Sequence, residues 1–234
     1  MTIDSEHENE NETPILYICD EQQSQNTEIS IKPFSEHPPI PLSHAWTFYF
    51  EAPPKYIPKH AKDKKNNTKP KVEEEEEEED RLKSMYTFSS VQDFWGLINN
   101  IPQINSLSIK SSYHLMQKGV EPRWEDPFNE RGGIWTVRIP KEHTVVFWRN
   151  LLLATIGGRF FSVLSEDDEI AGVSFGARKV DGVFMVWNKK GDIDENYQNK
   201  LFEVIESCLP ESDMTIQISF YKKNNDHTDF ATKK

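Results

Sequence analysis

Four short runs crowded with aromatic and β-branched residues constrain this chain most: Trp46-Thr47-Phe48-Tyr49-Phe50, then 134–139, 182–187 and 215–220. Runs of this kind, several of them alternating apolar with polar, read as half-buried strands. Three stretches of helical spacing interrupt them. Ser90 can cap a helix whose apolar positions Val91, Phe94, Trp95, Ile98 and Ile101 recur at intervals of three and four, with Pro102 behind them as a stop. A second helix is expected from about Thr144 to Ile156, closed by Gly157-Gly158, and a third from about Glu195 to Leu209, closed by Pro210. Strands separated by three sizeable helices predict an α+β fold: an antiparallel-dominated sheet with its helices on one face.

Charge divides the chain into a body and appendages. The overall charge is −12 over 234 residues, but residues 1–36 carry nine acids against Lys32, and Glu73 to Glu79 with Asp80 add eight more. Setting both aside leaves 22 acidic and 26 basic residues, a net of +4. A mildly basic body suits a short polyphosphate ligand and excludes broad duplex binding along a continuous basic face. Residues 1–36 are polar enough to predict a disordered acidic tail, despite the apolar patch Pro14-Ile15-Leu16-Tyr17-Ile18-Cys19. A second low-complexity stretch, 53–80, sets lysines beside the glutamate run and reads as a solvated insertion. The folded domain is therefore expected over 37–230, with 231–234 as a C-terminal tail.

Several function classes find no support. Cys19 and Cys208 make neither a disulfide framework nor a metal spacing, and the histidines show no ligand pattern. Gly157-Gly158 and Gly172 form no phosphate-cradling loop, no nucleophile motif is present, and Arg131-Gly132-Gly133 reads as a turn. No enzyme and no cofactor are expected. With an acidic N-terminus and no long apolar run, membrane insertion and secretion are not indicated, and the chain reads as cytoplasmic.

The segment Glu121-Pro122-Arg123-Trp124-Glu125-Asp126 and a second tryptophan in Val186-Trp187-Asn188, which looks exposed, stand out chemically. An indole stacks on a cationic N7-methylated guanine better than on the neutral base, and one carboxylate can accept both N1–H and N2–H of that base. Together with Ile40-Pro41-Leu42, Trp46-Thr47-Phe48-Tyr49-Phe50, Val91-Gln92-Asp93-Phe94-Trp95, Arg131-Gly132-Gly133-Ile134-Trp135, Phe147-Trp148-Arg149-Asn150-Leu151 and Arg178, these residues make the chain resemble the translation initiation factor 4E family over roughly residues 37–230. Stretches such as Trp187-Asn188-Lys189 look nearer to that family's divergent 4E-homologous branch, although Trp46 departs from that pattern.

The resemblance implies a curved sheet with three helices on its convex back and a pocket for the 7-methylguanosine 5′ cap of mRNA in its concave front. It implies that Trp124 stacks on the base, Glu125 reads its edge, Trp187 meets the methyl group and Arg178 grips the phosphates. The lysines expected near 180 and 183 are Val180 and Val183 here, so Lys222 and Lys223 are candidates to supplement the phosphate grip. The aromatic opposing Trp124 falls on Tyr56 when counted from Trp46, with Tyr86 second. On the convex face Val91 and Trp95 would receive a helical peptide of an initiation scaffold or a translational repressor. The expected partners are thus capped mRNA and such a helix, with no membrane and no DNA, and the expected role is regulation of initiation as factor or as cap-occupying repressor. The alternative is an interaction protein that keeps the fold and the docking surface but has lost cap binding.

Overall fold

The computed structural model describes residues 15–18, 27–30, 38–54, 81–210, 214–216 and 218–227. Seven antiparallel strands form one curved sheet in the order β4-β3-β5-β7-β8-β6-β9. They are β3 (Pro41–Glu51), β4 (Leu82–Ser90), β5 (Ser112–Gln117), β6 (Gly133–Pro140), β7 (Ile170–Ala177), β8 (Asp181–Asn188) and β9 (Ile218–Lys223). In residues 1–36, where composition predicts disorder, β1 (Ile15–Ile18) and β2 (Thr27–Ser30) pair antiparallel as a separate ladder. The fourth expected strand is displaced: 214–216 is irregular, and pairing with β6 extends to Lys223.

Strand periodicity sorts the side chains onto two faces. Trp46 and Phe48 of β3, Tyr113 and Leu115 of β5, Trp135 and Val137 of β6, and Phe184 and Val186 of β8 join one core with the helices. Their in-between neighbours Tyr49, Met116, Ile134 and Trp187 form a smaller cluster with Val120 and Ala171 on the opposite, helix-free face. Burial of each large side chain of the main core contributes about 1.5–3 kcal/mol.

Three helices cover the first face. Helix α1 (Val91–Ile98) begins at Ser90, whose Oγ accepts from Asp93 N at 3.1 Å and donates to the Asp93 carboxylate at 2.6 Å. It ends one turn before the proline stop and buries Phe94 and Leu97. Helix α2 (Thr144–Ile156) has the expected bounds, buries Phe147, Trp148, Leu151 and Leu152, and ends where Gly158 turns left-handed at φ +71°. Helix α3 (Glu195–Glu206) is capped by Asp194 and stops short of Leu209. Cys208, just beyond it, is buried, and burial pushes its thiol up to about 11.

Candidate cap-binding face

Of the expected site residues, Trp124, Glu125, Trp187 and Arg178 lie toward the helix-free face, on unlike supports. Trp124 and Glu125 sit exposed on the loop between β5 and β6, Trp124 with 37% of its surface accessible. Polar side chains of the loop itself hold it in shape. The Asp126 carboxylate accepts from the amides of Glu121 (2.9 Å) and Phe128 (2.8 Å). Buried Asn129 donates its two amide hydrogens to the carbonyls of Glu121 and Arg123, each at 2.8 Å. Asn224, beyond β9, fastens the loop from outside by donating to the Asn129 carbonyl at 2.6 Å.

The loop foot rests on the sheet. Tyr49 donates its hydroxyl to the Val120 carbonyl at 3.2 Å, and the phenol is raised above its usual range first by burial and then by the charges of Glu121 and Asp126. At the return into β6 the backbones crowd together. A Cβ on Gly132 would strike the Asn188 carbonyl, and one on Gly133 would strike the Tyr221 hydroxyl, so the Arg131-Gly132-Gly133 turn is one of close approach.

Trp187 departs from the sequence expectation. It is not exposed: only 6% of its surface is accessible. Its place on β8, across from Ile134 on β6 and Gly172 on β7, lays the ring into the small cluster of Tyr49, Met116 and Val120. The indole N–H donates to Ser174 Oγ at 2.9 Å. With its hydrogen bond spent inside the protein, Trp187 offers only ring carbons outward. The next residue, Asn188, donates to Asp168 at 2.9 Å and accepts from the Tyr221 hydroxyl at 3.0 Å, while the Tyr197 hydroxyl also donates to Asp168 at 2.9 Å. This buried polar knot ties β8 to β9 and α3.

Arg178 is exposed at the turn between β7 and β8, at the far end of the same face. Its guanidinium packs over Gly176, where a Cβ would lie 3.0 Å from Nη1, and Nη1 donates to the Ala177 carbonyl at 3.0 Å. Val180 and Val183 lie in the turn and on β8. Lys222 stands across the β6–β9 ladder from Ile134, whereas Lys223 is engaged by Asp192 at 2.6 Å. Tyr56 lies outside the described residues. Tyr86 does not oppose Trp124: it packs against the helix-side core, stacked on Phe88 with centroids 6.4 Å apart, and burial pushes its phenol up to about 12. Period two on β4 puts it on the same face as Phe88.

Val91 and Trp95 are half-buried on α1, and Trp95 meets Phe94 edge-on at 5.1 Å. A pocket of about 300 Å³ lined by His44, Trp46, Phe160, Phe161 and Glu166 among others opens elsewhere and includes none of the cap-face residues. Asn129, Asp126, Ser174, Asp168 and Asn188 escape sequence reasoning because their spacing carries no period; only Asp126, after Glu125, and Asn188, after Trp187, stood next to a recognised residue. Among the described residues no cluster of His, Cys, Asp or Glu could hold a metal ion, and no helix is long and apolar enough to cross a membrane.

Comparison with known proteins identifies the family. The profile of the family described as Eukaryotic initiation factor 4E matches residues 41–234. The chain is 33% identical over 178 residues to eukaryotic translation initiation factor 4E of Candida albicans, covering 74% of this chain and 75% of that protein. It is 32% identical over 172 residues to translation initiation factor 4E-1 of Prunus domestica, covering 74% and 65%. Across such relatives the matched stretch spans 57–75% of their own lengths. Among solved structures, the complex of C. elegans eIF4E-3 with the 4E-binding protein Mextli and a cap analogue aligns with a TM-score of 0.62 at 25% identity, over 81% of this chain and 95% of that one. With a matching profile over most of its length and the same curved sheet backed by three helices, this chain belongs to the eukaryotic initiation factor 4E family.

Proposed function

We propose that this protein binds the 7-methylguanosine 5′ cap of mRNA and thereby regulates translation initiation in the cytoplasm, without catalysis and without a cofactor. The observation that carries the reading is the braced loop, on which Asp126 and Asn129 use their polar groups on the backbone while Trp124 and Glu125 face outward. An indole and a carboxylate displayed together and already ordered bind a flat cationic base at low entropic cost. Trp124 stacks on the methylated base, and Glu125 accepts its two edge donors in charge-assisted bonds. Trp187 supplies an apolar floor under the methyl group. Arg178 meets the phosphates with a planar fork, and Tyr56 closes the sandwich from the first long loop.

On the opposite face, Val91 and Trp95 receive a helical peptide from a scaffold or repressor in a helix-in-groove contact. The similar C. elegans protein, bound to a 4E-binding protein and a cap analogue together, supports both partners. Tryptophan-fluorescence titration with 7-methyl-GTP and with GTP tests the reading. Strong quenching by the methylated nucleotide alone is expected; equal response to both, or none, overturns it. Tyr56→Ala is expected to weaken 7-methyl-GTP binding roughly tenfold, the worth of about one stacking contact.

A further inference from the structure

A row of polar groups crosses the helix-free face beneath Trp187 and ends where residues 53–80 leave the sheet. Ser174 Oγ, fully buried on β7, receives the Trp187 indole N–H and lies 2.8 Å from Nδ1 of His114 on β5. His114 is only 5% exposed, and its Nε2 has no hydrogen-bond partner but lies 3.8 Å from the Glu51 carboxylate on β3. Glu51 is in turn held by Arg81 Nη2 at 2.6 Å, and Arg81 Nε donates to the Ala52 carbonyl at 3.0 Å. The register makes the row contiguous, because His114 stands directly across from Ser174 on one side and Tyr49 on the other.

The direction of each bond follows from the tautomer of His114. Ser174 accepts from Trp187; with neutral His114 in the tautomer that turns Nε2–H, rather than a lone pair, toward the Glu51 carboxylate, the Ser174 hydroxyl proton goes to Nδ1. A serine that donates onward is the better acceptor for the indole. When His114 takes up a proton, Nδ1 becomes a donor, Ser174 must accept from both sides, and its own O–H loses its acceptor. The groups facing His114 are Tyr49 and Glu51 of β3, Arg81 before β4, and Ser174 of β7; Arg178 lies beyond, over Gly176. Glu51 is the anion among them, and Arg81 partly offsets it.

We infer that His114 is a positioning residue for Trp187, acting through Ser174, and that its protonation loosens the Trp187 anchor and weakens cap binding. The binding consequence rests on the proposed cap reading; the relay itself does not. Two measurements separate them. In the unliganded full chain, the Trp187 indole N–H resonance is followed from pH 5 to 8.5 in the wild type, His114→Gln and Glu51→Gln. An inflection is expected in the wild type, absent in His114→Gln and moved to lower pH in Glu51→Gln. A flat wild-type profile, or an inflection that survives His114→Gln, overturns the relay.

In parallel, 7-methyl-GTP affinity is measured at pH 8 and pH 6 in the wild type and His114→Gln. Titration of the nucleotide is common to both and cancels in the ratio. The wild type is expected to lose about threefold more affinity than the variant, in line with partial weakening of one neutral hydrogen bond. Parallel profiles overturn the link to cap binding. An intact inflection with no nucleotide binding at any pH leaves the relay standing and overturns the cap reading instead.

Discussion

Trp124 and Trp187 are the same residue held by opposite physics. Trp124 stands at the surface on a loop with little apolar burial, kept in place by Asp126 and Asn129 bonding to backbone on either side of it. Trp187 is sunk in a cluster of side chains and makes one internal hydrogen bond. A recognition surface can therefore separate the residue that does the stacking from the residues that keep its place, or merge the two in one side chain. In the first case affinity and stability are uncoupled; in the second they fall together.

Truncating the buried member breaks the comparison most sharply. Trp187→Ala is expected to cost about 3–5 kcal/mol of stability in urea unfolding, as large aromatic deletions in cores do. Asn129→Ala removes two side-chain hydrogen bonds and leaves the Glu121 and Arg123 carbonyls only their backbone partners, the amides of Arg123 at 2.8 Å and Asp126 at 3.4 Å; it is expected to cost roughly 2 kcal/mol, with loss of 7-methyl-GTP binding although Asn129 touches no ligand. Trp124→Ala is expected to lower affinity by about ten- to a hundredfold while stability stays within about 0.5 kcal/mol. If its unfolding midpoint falls as far as that of Trp187→Ala, the distinction collapses.

Smaller effects sharpen the picture at the far end of the face. Gly176→Ala brings a methyl within 3.0 Å of the Arg178 guanidinium and is expected to weaken 7-methyl-GTP a few-fold, roughly 1 kcal/mol, while sparing 7-methylguanosine without phosphates. The smallest concerns Glu51. The His114 imidazole 3.8 Å away, then the charge of Arg81, hold its carboxyl below the usual range against the opposing effect of burial. A carboxyl depressed in the folded state stabilises above its unfolded value, about 4.3, and loses that stabilisation as pH falls through the folded one. The gap in unfolding midpoint between wild type and Glu51→Gln should therefore be present at pH 6 and close below about pH 4.

Trp46 to Phe50 and helix α2 were legible in the sequence for reasons other than one-sided burial: the first is a dense aromatic run, buried on both faces from Trp46 to Tyr49, and the second is a long apolar stretch stopped by Gly157-Gly158. Strands β5 and β7 were not. Every residue of β7 is buried, so Ile-Ala-Gly-Val-Ser-Phe-Gly-Ala shows no alternation, and β5 hides Ser112 and His114 among its buried positions. On the candidate face, the exposure of Trp124 and Glu125 on one loop was legible from their charged neighbours along the chain. Trp187 was misjudged because strand alternation gives a face and says nothing of what else covers that face. Asn129, Ser174 and Asp168 were invisible for a related reason: a polar residue that will be buried against backbone looks, in sequence, like one that will face water. The family resemblance supplied the arrangement of the cap face, while periodicity alone reached only the fold class.

Arg81 lies where the lysine- and glutamate-rich stretch rejoins the sheet. The backbone bond from Ala52 to the Arg81 carbonyl at 2.9 Å and the guanidinium bond back to Ala52 close that stretch off at its root. The entropy of a closed loop grows only with the logarithm of its length, about 0.6 kcal/mol for each doubling. The cost of closing that stretch therefore depends little on how many residues join 54 to 81. The stem works as a suture: backbone and side chain together draw the end of β3 to the start of β4, and the seam is held from within the sheet.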